Sequence, residues 1–427
     1  MAAPADYPQT PAESLISLTI RSTWLLWLVG GLYIAGPALG WVLAAMAAWA
    51  LYTAPARPEG QRARAPGGAA LLWLAGMAAM LVILWIGHAT HALGMAATIK
   101  SSIGWAKGWA LIALFPLAGA ILPIRLSVIA EAVCRLGVQT LWLLPVFLAA
   151  PMLGLPQTLW VSPLSVIGGS GPEYFATTLY TIEPGVGTAR WQFFAPWSPA
   201  AGMVAVLNVI LALRERSRGL RAAGIAGWIL VALLSQSRLA LVALLAILPV
   251  LWAMRHAARP WLWLAAVPAM LCAGIFGGAL IEWAGQVMDQ LQGARADSTR
   301  VRAALGRIAV ERWQNEAPWF GHGVVEAGPH LVEYMPIGSH HSWYGLLFVK
   351  GLTGALALAI PLAVTAAVLG KAALGSAAGR CGFGLVLAMV LYSFGENLEM
   401  LAYLCWPAWL AIGVALASPP YNDQAKA

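Results

Sequence analysis

A histidine pair, His340 and His341, ends a polar stretch of the chain, and Ser342 and Trp343 open the apolar run that leads to Lys350, Gly351 and Gly354. An imidazole there is wet on one side and fixed on the other. With a pKa near neutrality it can take a proton from an attacking hydroxyl. Both imidazoles are candidates, His341 beside the apolar run and His340 in reserve. Arg238 closes the sequence Ser-Gln-Ser-Arg (235–238) between two apolar runs. A guanidinium close to lipid is costly and usually serves an ion, a substrate or a partner. Its planar fork gives a diphosphate two parallel charge-assisted hydrogen bonds at any relevant pH. The plainer alternatives are an interfacial histidine bonded to a neighbouring loop and an arginine that snorkels to head-group phosphates. Ser235, Gln236 and Ser237 would give Arg238 a polar pocket, which favours function.

More arginines precede the histidines: Arg295, Arg300, Arg302, Arg307 and Arg312, among acids running from Glu282 through Glu326 to Glu333. Residues 299–316 read as an amphipathic helix with Arg300, Arg307 and Glu311 near one face. Pro318, Gly321 and Gly323 then impose a turn-rich return. The segment 157–198 interleaves Glu173, Tyr174, Tyr180, Arg190, Trp191 and Trp197, a mixture that suits sugar rings but equally an interfacial aromatic belt. Arg190 and Glu326 join the candidate site residues. His88, His91, Glu396 and Glu399 sit at span boundaries, where cavity lining and interface solvation explain them equally.

Neither a metal nor a cofactor is expected. His322, His330, His340 and His341 are spaced by eight, ten and eleven residues, which matches no helical or finger-type ligand pattern. Cys134, Cys272, Cys381 and Cys405 are isolated, so neither disulfides nor zinc are indicated. A Walker loop, GxSxG and HExxH are all missing, as is a soluble nucleotide-binding domain. A donor substrate must therefore arrive through the membrane.

The elements that position these residues are membrane spans. Of the 427 residues, 60% are hydrophobic and only 10% charged, far below the roughly 25% of a soluble domain. The expected architecture is an all-α polytopic integral membrane protein, one transmembrane domain over 1–427 with about twelve helices. Spans are expected near 16–36, 38–54, 69–87, 105–122, 138–156, 199–213, 222–237, 239–254, 261–281, 342–369, 382–398 and 400–417. The pair within 222–254 is alternatively a re-entrant hairpin. The polar N-terminus lacks a cleaved signal, so the first apolar helix is expected to act as a signal anchor.

The net charge of +8 sits mostly in short loops, the positive-inside pattern, and argues against nucleic acid as a partner. Arg57, Arg62 and Arg64 mark one inside loop, and Arg125 and Arg135 a second. Arg214, Arg216, Arg218 and Arg221 mark a third, Arg255 and Arg259 a fourth, Lys371 and Arg380 a fifth. Alternating the spans puts all five on one side with both termini. Segments 88–104, 157–198 and 282–341 are left outside.

Three ordered motifs resemble the O-antigen ligase and polymerase superfamily. They are Ser-Gln-Ser-Arg-Leu-Ala (235–240), then Asp-Ser-Thr-Arg (297–300) opening a helix that leads to Pro-Trp-Phe-Gly-His-Gly (318–323), and last His341-Ser342 with Gly351 and Gly354. They lie within about 220–370, and the N-terminal half matches only in being polytopic. The resemblance implies an all-helical enzyme of the bacterial inner membrane, with cytoplasmic termini, a large periplasmic helical segment at 282–341 and no metal or cofactor. Such enzymes pass a glycan from undecaprenyl diphosphate to an acceptor hydroxyl with inversion at the anomeric carbon. Arg238 and Arg300 would hold the diphosphate, Arg302 would assist, and His341 would orient or deprotonate the acceptor. The run from Ser339 to Gly354 looks closer to capsule and exopolysaccharide polymerases than to ligases that use lipid A-core or protein as acceptor, so polymerisation of O-antigen, capsule or exopolysaccharide units is expected. A lipid-linked glycan flippase or other transporter is the reading from a different class, although charges gathered at one face favour an enzyme.

Overall fold

The computed structural model describes residues 8–56, 63–168, 171–183, 187–293 and 296–417. Arg57, Arg62, Arg295 and both chain ends lie outside the described residues, as do the side chains of Asp297, Ser298 and Thr299. The chain is 76% helical with almost no sheet, as an all-α membrane protein requires of its backbone. Among the described residues eight helices are long and apolar enough to cross a bilayer.

In order the helices are α1 (Pro11–Arg21), α2 (Thr23–Leu28), α3 (Leu32–Thr53), α4 (Gly68–Thr90), α5 (Met95–Lys107), α6 (Trp109–Ile121), α7 (Leu126–Met152), α8 (Ser198–Ala212), α9 (Arg218–Leu234), α10 (Arg238–Arg255), α11 (Pro260–Gly293), α12 (Ala296–Glu316), α13 (Ser342–Gly375), α14 (Ala377–Ser393) and α15 (Leu398–Ala417). Between α7 and α8 lie two antiparallel two-stranded ribbons. β1 (Thr158–Val161) pairs β2 (Ala176–Thr178) with Thr158 opposite Thr178, and β3 (Thr181–Ile182) pairs β4 (Ala189–Arg190) with Thr181 opposite Arg190.

α6, α8 and α15 form the centre and are buried around nearly their whole circumference, whereas α3, α4 and α13 bury one side only. Lipid is as apolar as leucine, so close packing must hold such helices together. Gly119 of α6 lies against the Leu410 carbonyl and Gly413 of α15 against the Pro116 carbonyl, so this crossing brings backbone onto backbone.

Several expected boundaries move: the span expected at 138–156 is α7, which starts at Leu126, so Arg135 lies within the helix and not in a loop. The span at 16–36 is replaced by α1 and α2, which end before a turn at Gly30, where φ is +66°. The pair still runs the length of α7, because Glu13 bonds Arg125, Trp24 donates to Thr140 at 3.3 Å and Trp27 packs on Phe147. The segment expected outside from 282 begins later, since α11 stays helical to Gly293. Its apolar pattern ends with the hydrocarbon, but its backbone hydrogen bonds do not. Helix α13 would be about 51 Å long if straight, against a core of about 30 Å. It is instead broken at Gly351, where φ is 62° and ψ −166°.

Arg64, Arg125, Arg214, Arg216 and Arg221 line one cavity at one end of the bundle. At the other end two of the segments expected to share a side meet, His91 Nε2 lying 3.2 Å from the Gly321 carbonyl, while Lys107 donates to the Gly168 carbonyl and Trp197 to Glu396.

Candidate functional site

The turn between α14 and α15 carries Glu396 and Asn397, and the N-terminus of α13 is pinned to it. Ser342 Oγ donates to the Glu396 carbonyl at 2.8 Å and accepts from the Leu398 amide at 3.0 Å. The His341 amide donates to Asn397 Oδ1 at 3.1 Å. A serine after the histidine thus stitches two elements 54 residues apart in sequence.

His341 caps α13. Its Nδ1 accepts from the Tyr344 amide at 3.2 Å, and its ring stacks on Tyr344 with centroids 3.8 Å apart. Burial pushes the imidazole down to about 4, so it is neutral at pH 7. A neutral ring whose Nδ1 is an acceptor carries its proton on Nε2. His341 therefore presents a donor. Its only proton-accepting nitrogen is occupied.

Glu396 is 1% exposed, and its Oε2 accepts from Trp197 Nε1 at 2.9 Å. Burial raises its carboxyl to about 7, against the pull of the Trp197 hydrogen bond and of the Arg302 and Arg190 charges. A carboxyl that titrates near neutral pH can accept a proton from a hydroxyl. His340 stands at φ 59° with its ring edge-on to Trp197 at 6.2 Å. Burial, and then the Arg302 charge, lower it to about 4.

The arginines approach from three elements. Arg190, at the end of β4, donates from Nε to the Ser235 carbonyl at 2.9 Å and from Nη1 to Glu183 at 2.9 Å. Gln236, at φ 51°, donates back to the Ala189 carbonyl at 3.3 Å. The Ser-Gln-Ser-Arg turn is thereby fastened to the β3–β4 ribbon. Arg238 begins α10 one residue after its capping Ser237, and the next residue, Leu239, lies against Gly395 beside Glu396. Positive helix ends and a guanidinium together favour an anion. α9 and α10 are two separate helices joined at this turn. On α12, Val301, Ala304, Leu305 and Ala309 are buried while Arg300, Arg302, Arg307 and Glu311 are exposed, which fits the expected amphipathic face. The Arg302 charge acts on both His340 and Glu396.

Glu326 lies apart from this group. Its carboxylate takes a 2.6 Å bond from Arg312, which also holds Glu316. Glu316 in turn faces His322 Nε2 at 2.8 Å, while His322 Nδ1 faces the Phe348 carbonyl at 2.9 Å. These residues brace the loop 318–323. No three His, Cys, Asp or Glu side chains are grouped to hold a metal among the described residues.

Glu396, Asn397 and Trp197 are the residues that sequence reasoning left outside the site. An acidic residue at a span boundary has one signature whether it is solvated or buried, and only the fold brings Trp197 against it. The chain matches no protein-family model, and no curated protein matches it.

Proposed function

We propose that the chain is a bacterial inner-membrane glycosyltransferase that moves a glycan from undecaprenyl diphosphate to a sugar hydroxyl, polymerising repeat units of O-antigen, capsule or exopolysaccharide. The observation that carries this reading is the joining of His341 to the Glu396–Asn397 turn, with the Arg190 and Arg302 charges acting on Glu396 and Arg238 starting the adjacent helix. The three motifs that resemble the O-antigen ligase and polymerase superfamily supply the substrate class. In this reading the α1–α2 pair, α8, α9 and α14 also cross, making about twelve crossings. The arginine-rich end and both termini are cytoplasmic, and the site faces the periplasm.

The acceptor hydroxyl gives its proton to the Glu396 carboxylate as its oxygen attacks the anomeric carbon opposite the diphosphate. The bond from that carbon to the diphosphate oxygen breaks, and the electron pair leaves with undecaprenyl diphosphate. Arg238 and Arg302 stabilise the charge of the leaving group, as preorganised cations do. His341 donates from Nε2 and orients the acceptor.

The test is purified protein in detergent with undecaprenyl-diphosphate repeat units as sole sugar source, beside His341→Ala and Arg238→Ala. Ladders of longer lipid-linked glycan, lost in both variants, support the polymerase. Transfer only after lipid A-core is added makes the protein a ligase.

One observation favours a transporter as second reading. Lys350 is 3% exposed inside the bundle, its Nζ 3.4 Å from the Met80 carbonyl of α4, and it interacts electrostatically with Glu399 of α15. Ionisable groups within spans commonly mark translocation paths. Lipid-linked glycan that crosses vesicle membranes with His341→Ala protein, and stops crossing with Lys350→Met protein, would establish it.

A further inference from the structure

At the end of the bundle away from His341, a cavity of about 670 Å³ opens between α8, α9, α10 and α14. Its rim carries Arg214, Arg221, Arg255 and Arg380, and among the described residues no carboxylate lines it. Arg221 donates to the Glu215 carbonyl and Arg380 to the Ala373 carbonyl, so both are held in place by backbone. Arg214 Nε is buried without a hydrogen-bond partner among the described residues. A buried, unanswered guanidinium donor is costly unless an anion meets it.

The wall below the rim is apolar. Arg255 is the last residue of α10, and Leu251 and Leu248, about one and two turns deeper, line the same cavity with Trp252. Trp252 is 50% exposed and packs on Trp261, as an indole at the boundary between head groups and hydrocarbon does. A free phosphate would use the rim and leave the wall empty. A phospholipid uses both.

We propose that this cavity is a binding site for an anionic phospholipid, its phosphodiester held by Arg214 and Arg255 and its acyl chains laid along Leu248 and Leu251. Basic pockets between spans bind acidic head groups by this combination of charge and shape. The inference is independent of the glycosyltransferase reading, because none of its residues touches the His341 site.

The experiment uses delipidated full-length protein in detergent, titrated with phosphatidylglycerol, phosphatidylcholine or glycerol 1-phosphate. Thermal unfolding and native mass spectrometry are the readouts. Phosphatidylglycerol should raise the unfolding midpoint above that in phosphatidylcholine and leave a retained lipid adduct. Arg214→Gln/Arg255→Gln should lose that increment while unfolding normally in phosphatidylcholine. An equal rise with both lipids, or a full rise with glycerol 1-phosphate alone, would overturn the proposal. Should the double variant fail to fold, phosphatidylglycerol with a photoreactive head group is applied to the unaltered protein. Labelling concentrated on peptides containing Arg214 or Arg255 supports the site, and labelling spread over the bundle sinks it.

Discussion

The carbonyl of Trp319 accepts twice from Thr353, from its amide at 3.2 Å and its hydroxyl at 2.7 Å. The break in α13 at Gly351 leaves carbonyls above and amides below without helical partners. The loop 318–323 answers both. The Leu352 amide donates to Pro318, while the His322 and Gly323 amides donate to Phe348 and Val349. Two glycine-bearing motifs separate in sequence are therefore one structural joint, and each needs the other.

Gly351→Ala should damage this joint first. The backbone there has φ 62°, and a methyl would fall 2.6 Å from the Phe320 amide nitrogen. The conformational strain alone costs about 1–3 kcal/mol, before the clash is counted. A lowered unfolding midpoint in detergent is expected, and an unchanged midpoint would contradict the geometry.

His341 should act as a hydrogen-bond donor. His341→Ala is expected to reduce transfer about 10²–10³-fold, the usual loss for a preorganised donor. His341→Gln, which keeps an N–H, should retain more activity than alanine. Glutamine as inactive as alanine would instead assign His341 the proton-accepting role.

Activity should rise with pH through about 7 and then level off, because Glu396 accepts a proton only when ionised. Glu396→Gln should remove the rise and lower the rate about 10²–10⁴-fold. The two histidines, near 4, are neutral across this range and add no further step. Arg302→Ala removes a charge that favours the carboxylate, so the profile should shift to higher pH. Arg300→Ala should leave its midpoint in place. The same raised carboxyl favours the fold while protonated, a contribution complete below 4.5 and lost as pH rises through about 7.

Glu316 should make the loop 318–323 acid-sensitive. Hydrogen bonds from Arg312 and then His322 hold its carboxyl down to about 2. A lowered carboxyl stabilises above its ordinary 4.5 and loses that contribution as pH falls towards 2. Protease sensitivity of the loop 318–323 is expected to increase in that window, and Glu316→Gln should show it already at pH 7. Glu326→Gln should loosen the same loop with little effect on the pH profile of transfer.

The sequence makes the two ends of the bundle legible, because loop charge needs no knowledge of packing. Arg64, Arg125, Arg214 and Arg221 are assigned together on that signal alone, and they do line one cavity. The full extent of α11 is illegible, since hydropathy records where lipid ends and not where a helix does. The break at Gly351 is not legible: Gly351 and Gly354 enter the sequence reading only as part of a motif, and the break depends on a loop thirty residues earlier. Arg238 draws attention as a charge between apolar runs and His341 as an imidazole where a polar stretch meets one, whereas Arg302 gains a role only through the resemblance. Glu396 has the same signature as Glu326 in one dimension, and only their partners, Trp197 for one and Arg312 for the other, separate them.

Along the span Pro260–Ala279 of α11, none of the described residues is buried inside the bundle. A helix with most of its surface left to lipid adjusts its tilt to the thickness of the surrounding hydrocarbon. Helix α12, which carries Arg302, is the next element in the chain. Bilayer thickness thus bears on where that guanidinium stands relative to His340 and Glu396, and the proposed transfer is expected to run at different rates in short-chain and long-chain lipids.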